Sequence, residues 1–272
     1  MADKLRILAI GAHPDDCDLK AGGAAALWSA AGHVVRFVSA TNGETGHHEQ
    51  AGAALVRRRQ AESAAAARTL GIEFEILPNP TGQLEPTLAC RRMFIRLIRR
   101  FSPDLVLTHR PNDYHPDHRA TAQLVMDSSY LVMVPNNAPE VPPLRHMPVI
   151  AYFSDTFQKP CPFQPAVVVD IDRAWPAKLD ALHCYTSQMY EWLPWTLHKL
   201  EEVPADDAAR KKWLEPWRGR HDIDVANRFR ALLVARYGPQ RGPAVRYAEA
   251  FEGSEYGAPL DEPAIERFFA GL

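Results

Sequence analysis

The sequence has few cysteines, no long apolar run and almost no net charge. Its four cysteines, at 17, 90, 161 and 184, include no pair two residues apart, so neither a zinc knuckle nor a dithiol redox motif is present. Four dispersed thiols do not make a disulfide framework and fit a reducing compartment. No apolar stretch approaches the roughly 20 residues of a membrane helix. The opening run, Leu5 to Ile10, is too short for the core of a signal peptide and meets two acids at Asp15 and Asp16. A cytoplasmic protein without a membrane segment is therefore expected. Lys and Arg total 31 against 33 Asp and Glu, a balance that gives no general attraction to nucleic acid or anionic lipid. Also missing are a Gly-Lys-Ser/Thr phosphate loop, a Gly-x-Ser-x-Gly elbow and a His-Glu-x-x-His pair. Gly11-Ala12-His13 lacks the rest of a dinucleotide fingerprint.

What is present is enough apolar residue to bury a core: 46% of 272 residues. Short branched runs alternate with amphipathic segments. Strands are expected at Leu5–Ile10, Val34–Ala40, Glu73–Leu77 and Asp104–Thr108. Helices are expected at Gly22–Ala31, Ala53–Leu70, Leu88–Phe101 and from Asp117 to about Met126, with Gly32 and Gly71 as stops. This alternation predicts an α/β, Rossmann-like, doubly wound and mostly parallel sheet with right-handed crossovers.

The second half is less regular and reads as a C-terminal extension. Strands are expected at Val149–Phe153 and Ala166–Ile171. Helices are expected at Pro176–Cys184, Ser187–Leu200, Asp206–Trp213 and Asp222–Tyr237. The Pro-rich stretch Pro135–Pro148 reads as an excursion within one domain spanning 1–272, whose core is about 1–130. The arginines between Leu88 and Phe101 read as a solvated face, and His47 and His48 as exposed loop residues. The pairs Trp192/Trp195 and Trp213/Trp217 read as core or subunit-interface packing, and Cys17 as a small packing residue.

Two loops carry chemistry. Ala12-His13-Pro14-Asp15-Asp16 follows the first strand, and Asp113-Tyr114-His115-Pro116-Asp117-His118 follows the fourth. Imidazole and carboxylate suit Zn²⁺, and catalytic zinc takes three protein ligands and keeps one position open. In a sheet of order 3-2-1-4-5 the first and fourth strands are neighbours, and the loops after them diverge at the crevice where ligands bind. The prolines bias the preceding histidines away from helix and pre-set both loops. Asp113 and Asp117 are candidates to lock ligand histidines from behind.

These motifs resemble those of the LmbE-like, or PIG-L-like, zinc-dependent N-acetylglucosaminyl deacetylases, from about Leu5 to His118. Asn42-Gly43-Glu44, Arg59-x-x-Glu62 and Leu70-Gly71 add to the resemblance. Lys178-x-x-Ala181, Ser187-Gln188 and Tyr247–Phe251 are later echoes of it. The resemblance implies that His13, Asp16 and His118 hold Zn²⁺ and that Asp15 is the general base. It implies that His115 stabilises the oxyanion or protonates the leaving amine, with Asp117 orienting an imidazole. Arg59, Glu44, Asn79 and Asp113 become candidate substrate contacts. The implied substrate is a small N-acetylated sugar, and the implied assembly a trimer or hexamer. Cleavage of a larger thiol or sugar conjugate is the neighbouring reading, and metal-dependent sugar binding without turnover the more distant one. Ligation alone does not need Asp15 and His115, which argues against the last.

Overall fold

In the computed structural model, which describes residues 4–272, the first half follows this alternation closely. Strands β1 (Arg6–Gly11), β2 (Val34–Thr41), β3 (Glu73–Asn79), β4 (Leu105–Thr108) and β5 (Val149–Phe153) are separated by α1 (Asp16–Ala30), α2 (Gly52–Leu70), α3 (Leu88–Phe101) and α4 (Pro116–Ser129). Strands β6 (Val167–Asp170) and β7 (Ala248–Gly253) complete a seven-stranded sheet of order β3-β2-β1-β4-β5-β7-β6. β1 to β5 run parallel, and β7 is antiparallel to both β5 and β6.

Both faces of β1 are buried, as a parallel sheet requires. Ile7 and Ala9 face one apolar layer, which includes α1 and the C-terminal α9 (Glu262–Phe269). Leu8 and Ile10 face the other, filled by Phe94, Ile95 and Ile98 of α3 and by Leu124 and Val125 of α4. Helix α1 comes in close because its inward residues are small. A Cβ on Gly23 would sit 2.7 Å from Ile171, so this mid-helix glycine carries its propensity cost of ~1 kcal/mol for the sake of contact.

The second half departs from expectation in several places, the unexpected helix α9 among them. The segment Ser187–Leu200 is not one helix. It forms a π-helical turn, Gln188–Trp192, then the four-residue α6 (Leu193–Thr196) and a 3-10 turn at Leu200–Glu202. Pro194 has no N–H to offer the preceding turn, which breaks the regular ladder. The two helices expected around Trp213 and Asp222 are instead α7 (Asp207–Arg228) and α8 (Arg230–Ala244), with α7 running unbroken through Pro216 and Gly219. Gly219 lies under Trp175 and Tyr247, so tertiary packing outweighs two poor helix formers. Strand β7 was not expected, because Glu249 interrupts its apolar run. The arginine-rich α3 is also not a wholly solvated face. Arg99 is buried and donates to the backbone carbonyls of Val132, Val134 and Ala138, tying down the Pro-rich excursion.

Glu249 is buried because it is satisfied. Its two oxygens accept the Gly23 and Ala24 N–H groups at 2.9 and 2.8 Å, and Oε1 is 2.8 Å from Lys178 Nζ. Lys178, on α5 (Trp175–His183), is also 2.8 Å from Asp222 Oδ2 of α7. One buried triad thus joins α1, α5, α7 and β7. Burial pushes the Asp222 carboxyl up to about 6 against the pull of Lys178. Removing the lysine leaves two buried carboxylates without a cation, which typically costs ~3–5 kcal/mol. Lys178→Met is expected to lose about that much in urea denaturation. Adding Asp222→Asn and Glu249→Gln to it is expected to recover part of the loss. A Lys178→Met protein as stable as wild type would contradict this role.

Candidate active site

The loop after β1 turns sharply because its own groups pin it. The Asp15 N–H donates to the His13 carbonyl at 2.8 Å, and the His13 N–H donates to Asp16 Oδ2 at 2.7 Å. The loop after β4 uses the same device. The His115 N–H donates to Asp113 Oδ1 at 3.0 Å, His115 caps α4 by accepting the Asp117 N–H on Nδ1 at 3.1 Å, and Pro116 opens the helix. β1 and β4 are paired in the sheet, so both loops leave its carboxyl edge side by side.

There three atoms face one another. His13 Nδ1 and Asp16 Oδ2 are 3.3 Å apart, Asp16 Oδ2 and His118 Nε2 3.4 Å, and His118 Nε2 and His13 Nδ1 3.2 Å. The far ring nitrogens face carboxylates: His13 Nε2 is hydrogen-bonded to Asp117 Oδ2 at 3.2 Å, and His118 Nδ1 lies 3.0 Å from Asp113 Oδ1 without a well-aligned hydrogen bond. Asp117 is fixed in turn by the N–H groups of Gly82 and Leu84 at 2.6 and 3.2 Å. With the His13 Nε2 proton directed at Asp117, Nδ1 presents a lone pair to another imidazole and a carboxylate, an arrangement that asks for a cation. The protons show the same demand. Burial opposes charge on His13, yet Asp16 and the hydrogen bonds to Asp117 and Asp16 raise it to about 10. Burial likewise opposes charge on Asp16, but His118, His13 and His109 hold its carboxyl well below the usual range. The donor set and its carboxylate backing fit a zinc ion.

Two more imidazoles crowd the centre. Donor atoms of His13, His115 and His118 lie within 4.8 Å of one another, as do those of Asp16, His109 and His118. His109 is a residue that sequence reading passed over. Its place directly after a parallel strand was the signal for it. Its Nε2 accepts the Ala12 N–H at 3.0 Å, so that lone pair is used, and its ring stacks on His118 with centroids 4.0 Å apart. Burial, reinforced by the charge of His118, pushes it down to about 4 and keeps it neutral. His109 therefore backs the His118 ring, and the same Nε2 lies 3.2 Å from Asp16 Oδ2.

Asp15 occupies the N-cap position of α1 but makes no capping bond. Its Oδ1 instead meets Arg59 Nη2 at 3.1 Å, and Arg59 is almost wholly buried. Near Arg59, Glu62 accepts the Ser187 N–H and hydroxyl at 2.8 and 2.6 Å and so ties down the Ser187–Gln188 turn. A cavity of about 540 Å³ opens over these groups, with His13, Asp15, Asp16, Arg59 and His115 on its wall. Three candidate substrate contacts are placed otherwise. Asp113 stands behind His118, the Asn79 amide is spent on the Ala40 carbonyl at 2.8 Å, and Glu44 is bonded to Asn42. None of the three lines the cavity, whereas Gly43, Gly46, Thr81 and Gln188 do. His47 is also not an exposed loop residue: it is buried and bonds Glu191 at 2.8 Å. His48 stacks on Trp195, and Trp195 on Trp192.

The GlcNAc-PI de-N-acetylase family model, PIG-L, matches residues 8–129. The chain is 29% identical over 196 residues to the 4-oxalmesaconate hydratase of Pseudomonas putida, covering 68% of this chain and 74% of that protein. It is 28% identical over 206 residues to the diacetylchitobiose deacetylase of Thermococcus kodakarensis, covering 71% and 74%. Among solved structures, the N,N'-diacetylchitobiose deacetylase of Pyrococcus horikoshii shares the fold with a TM-score of 0.71 at 24% identity, over 93% of this chain and 85% of that one.

If Asp113 orients His118 for an ion, Asp113→Ala is expected to weaken zinc affinity about 10–100-fold in a competitive chelator titration, with the secondary structure intact. An unchanged affinity would remove either Asp113 or His118 from the centre.

Proposed function

The chain carries a PIG-L family domain over residues 8–129, and on that premise we propose that it is a zinc-dependent hydrolase that removes the acetyl group from an N-acetylglucosamine-type sugar or glycoconjugate. The observation that carries this reading is Asp15, a buried carboxylate at a helix N-cap that caps nothing and faces the cavity beside the donor triad. Metal binding alone has no use for it.

In this reading His13, Asp16 and His118 hold the zinc, with Asp117 and Asp113 fixing the two imidazoles. A zinc ion bound there would acidify a water and polarise an acyl oxygen. Asp15 accepts the proton of the attacking water on the oxygen that Arg59 leaves free. Arg59 acts through Asp15, aiming its carboxylate, and borders the sugar. His115 has Nδ1 occupied by the Asp117 N–H, so its neutral ring carries the proton on Nε2. Burial, with the charges of His13 and His118, holds His115 below the usual imidazole value and favours that neutral form. It is thereby a hydrogen-bond donor for the oxyanion, and the proton that Asp15 takes from the water is the one that passes on to the leaving amine.

A second reading, addition of water to a carbon–carbon double bond, is favoured by the similarity to a hydratase. It would release no amine. We treat 1–272 as one domain, because β5 to β7 extend the same sheet as β1 to β4. We also take the protein to be a homo-oligomer, since Trp195, Leu197 and Leu200 expose apolar surface on one segment. The four free cysteines fit a reducing, cytoplasmic setting, and no described helix is long and apolar enough to cross a membrane.

Asp15→Asn is expected to retain zinc and to lose ~10²–10⁴-fold in turnover, the usual cost of removing a general base. Asp16→Asn is expected to lose zinc, with partial recovery on adding it. Metal content and free-amine release from N-acetylglucosamine, measured side by side, test both. Wild-type turnover in Asp15→Asn would contradict the assignment. Alkene hydration without any amine release would favour the second reading.

A further inference from the structure

Arg218 of α7 reaches the wall of the same cavity as Asp15. It forms no ion pair among the described residues, and its buried Nε has no hydrogen-bond partner. Its guanidinium is held in place by Trp217, with Cζ 3.6 Å from the ring centroid. Burial lowers it only to about 10, opposed by Asp15, so it is charged at neutral pH.

Arg218 also lines an adjoining recess of about 190 Å³, together with Leu19, Lys20 and His221. Lys20, from α1, donates to the Ser154 carbonyl at 2.9 Å, and no carboxylate lies within ion-pair distance of it among the described residues. Asp155, Asp222, Asp113 and Asp16 act on Lys20 only from further away. His221 is 3.2 Å from the Ser154 hydroxyl and is kept neutral, first by the charge of Lys20 and then by burial. Lys178, the remaining cation of the recess, is neutralised by Asp222 and Glu249. Two cations from different helices thus share a small recess without a carboxylate partner among the described residues. Such groups are costly to bury unless something pairs them. The fixed, forked guanidinium is the group best suited to a planar or tetrahedral anion.

We propose that this end of the cavity is an anion subsite, in which Arg218, seconded by Lys20, holds a carboxylate or phosphate on a substrate whose acyl-nitrogen bond lies over the metal centre. The substrate class is then an N-acyl compound bearing one anionic substituent, not a neutral sugar. For the acyl-nitrogen bond this rests on the deacetylase reading; the anion contact itself does not.

The test compares zinc-loaded wild type with Arg218→Gln and Arg218→Lys on three substrates. These are N-acetylglucosamine, its 6-phosphate and N-acetylmuramic acid, so that phosphate and carboxylate are tried separately. Wild type is expected to favour at least one anionic substrate over the neutral one by about tenfold or more in kcat/KM. Arg218→Gln is expected to erase about 10–100-fold of that advantage, chiefly through KM, the range for charge-assisted hydrogen bonds. Arg218→Lys is expected to recover part of it. Equal losses on all three substrates, or a wild type indifferent to both anions, would overturn the subsite.

Calorimetry separates this outcome from failure of the deacetylase reading. It uses the same ligands with Asp15→Asn and with Asp15→Asn/Arg218→Gln, both zinc-loaded. Tighter binding of an anionic ligand that depends on Arg218, without hydrolysis by wild type, keeps the subsite and removes the deacetylase. Binding that ignores Arg218 removes the subsite, whatever the turnover.

Discussion

Asp117 is the contact on which the site depends. One oxygen meets His13 Nε2 and the Gly82 N–H, and the other takes the Leu84 N–H. A single carboxylate at the start of α4 therefore connects the loop after β1 with the loop after β3. It can do so only because the parallel order β3-β2-β1-β4 brings those strand ends to one edge. The buried cluster around it holds imidazoles and carboxylates that face one another at 3.2–3.4 Å. A divalent cation placed among them would balance these donors. Fold and site geometry meet here: the sheet order sets that spacing.

The first half was legible because its signals agree with one another. The branched run of β1, the Ala-rich α1, the stops at Gly32 and Gly71 and the two His-Pro-Asp loops all point to one topology. The second half was harder to read because tertiary contacts overrule local preference there. β7 carries a buried Glu249 that makes sense only once Lys178 and the N–H groups of α1 are beside it. α7 runs through Pro216 and Gly219 because Trp175 and Tyr247 close over the glycine.

The site divides in the same way. His13, Asp16 and His118, drawn together from two short motifs, do converge. His109 escaped notice because a lone histidine at a strand end has no distinctive spacing. Asn79 and Glu44 were placed by their neighbours in sequence, and their side chains are spent on local bonds. Arg218 sits a hundred residues beyond the second motif, on α7, and nothing local marks it as a cavity residue. The donor cluster lies on the regular half, and much of the cavity wall comes from the other. Trp192, Leu193, Thr196 and Arg218 all belong to that second half.

The central claim is that one ion sits among His13 Nδ1, Asp16 and His118 Nε2, with Asp15, His109 and His115 outside its ligand set. An anomalous difference map from zinc-loaded crystals, collected on both sides of the zinc edge, tests it most directly. The account predicts one strong peak per chain about 2.0–2.2 Å from those three atoms, with an open position toward Asp15 and His115. A peak bonded to His109 or His115 in place of His13 or Asp16, or two ions sharing the cluster, would contradict it.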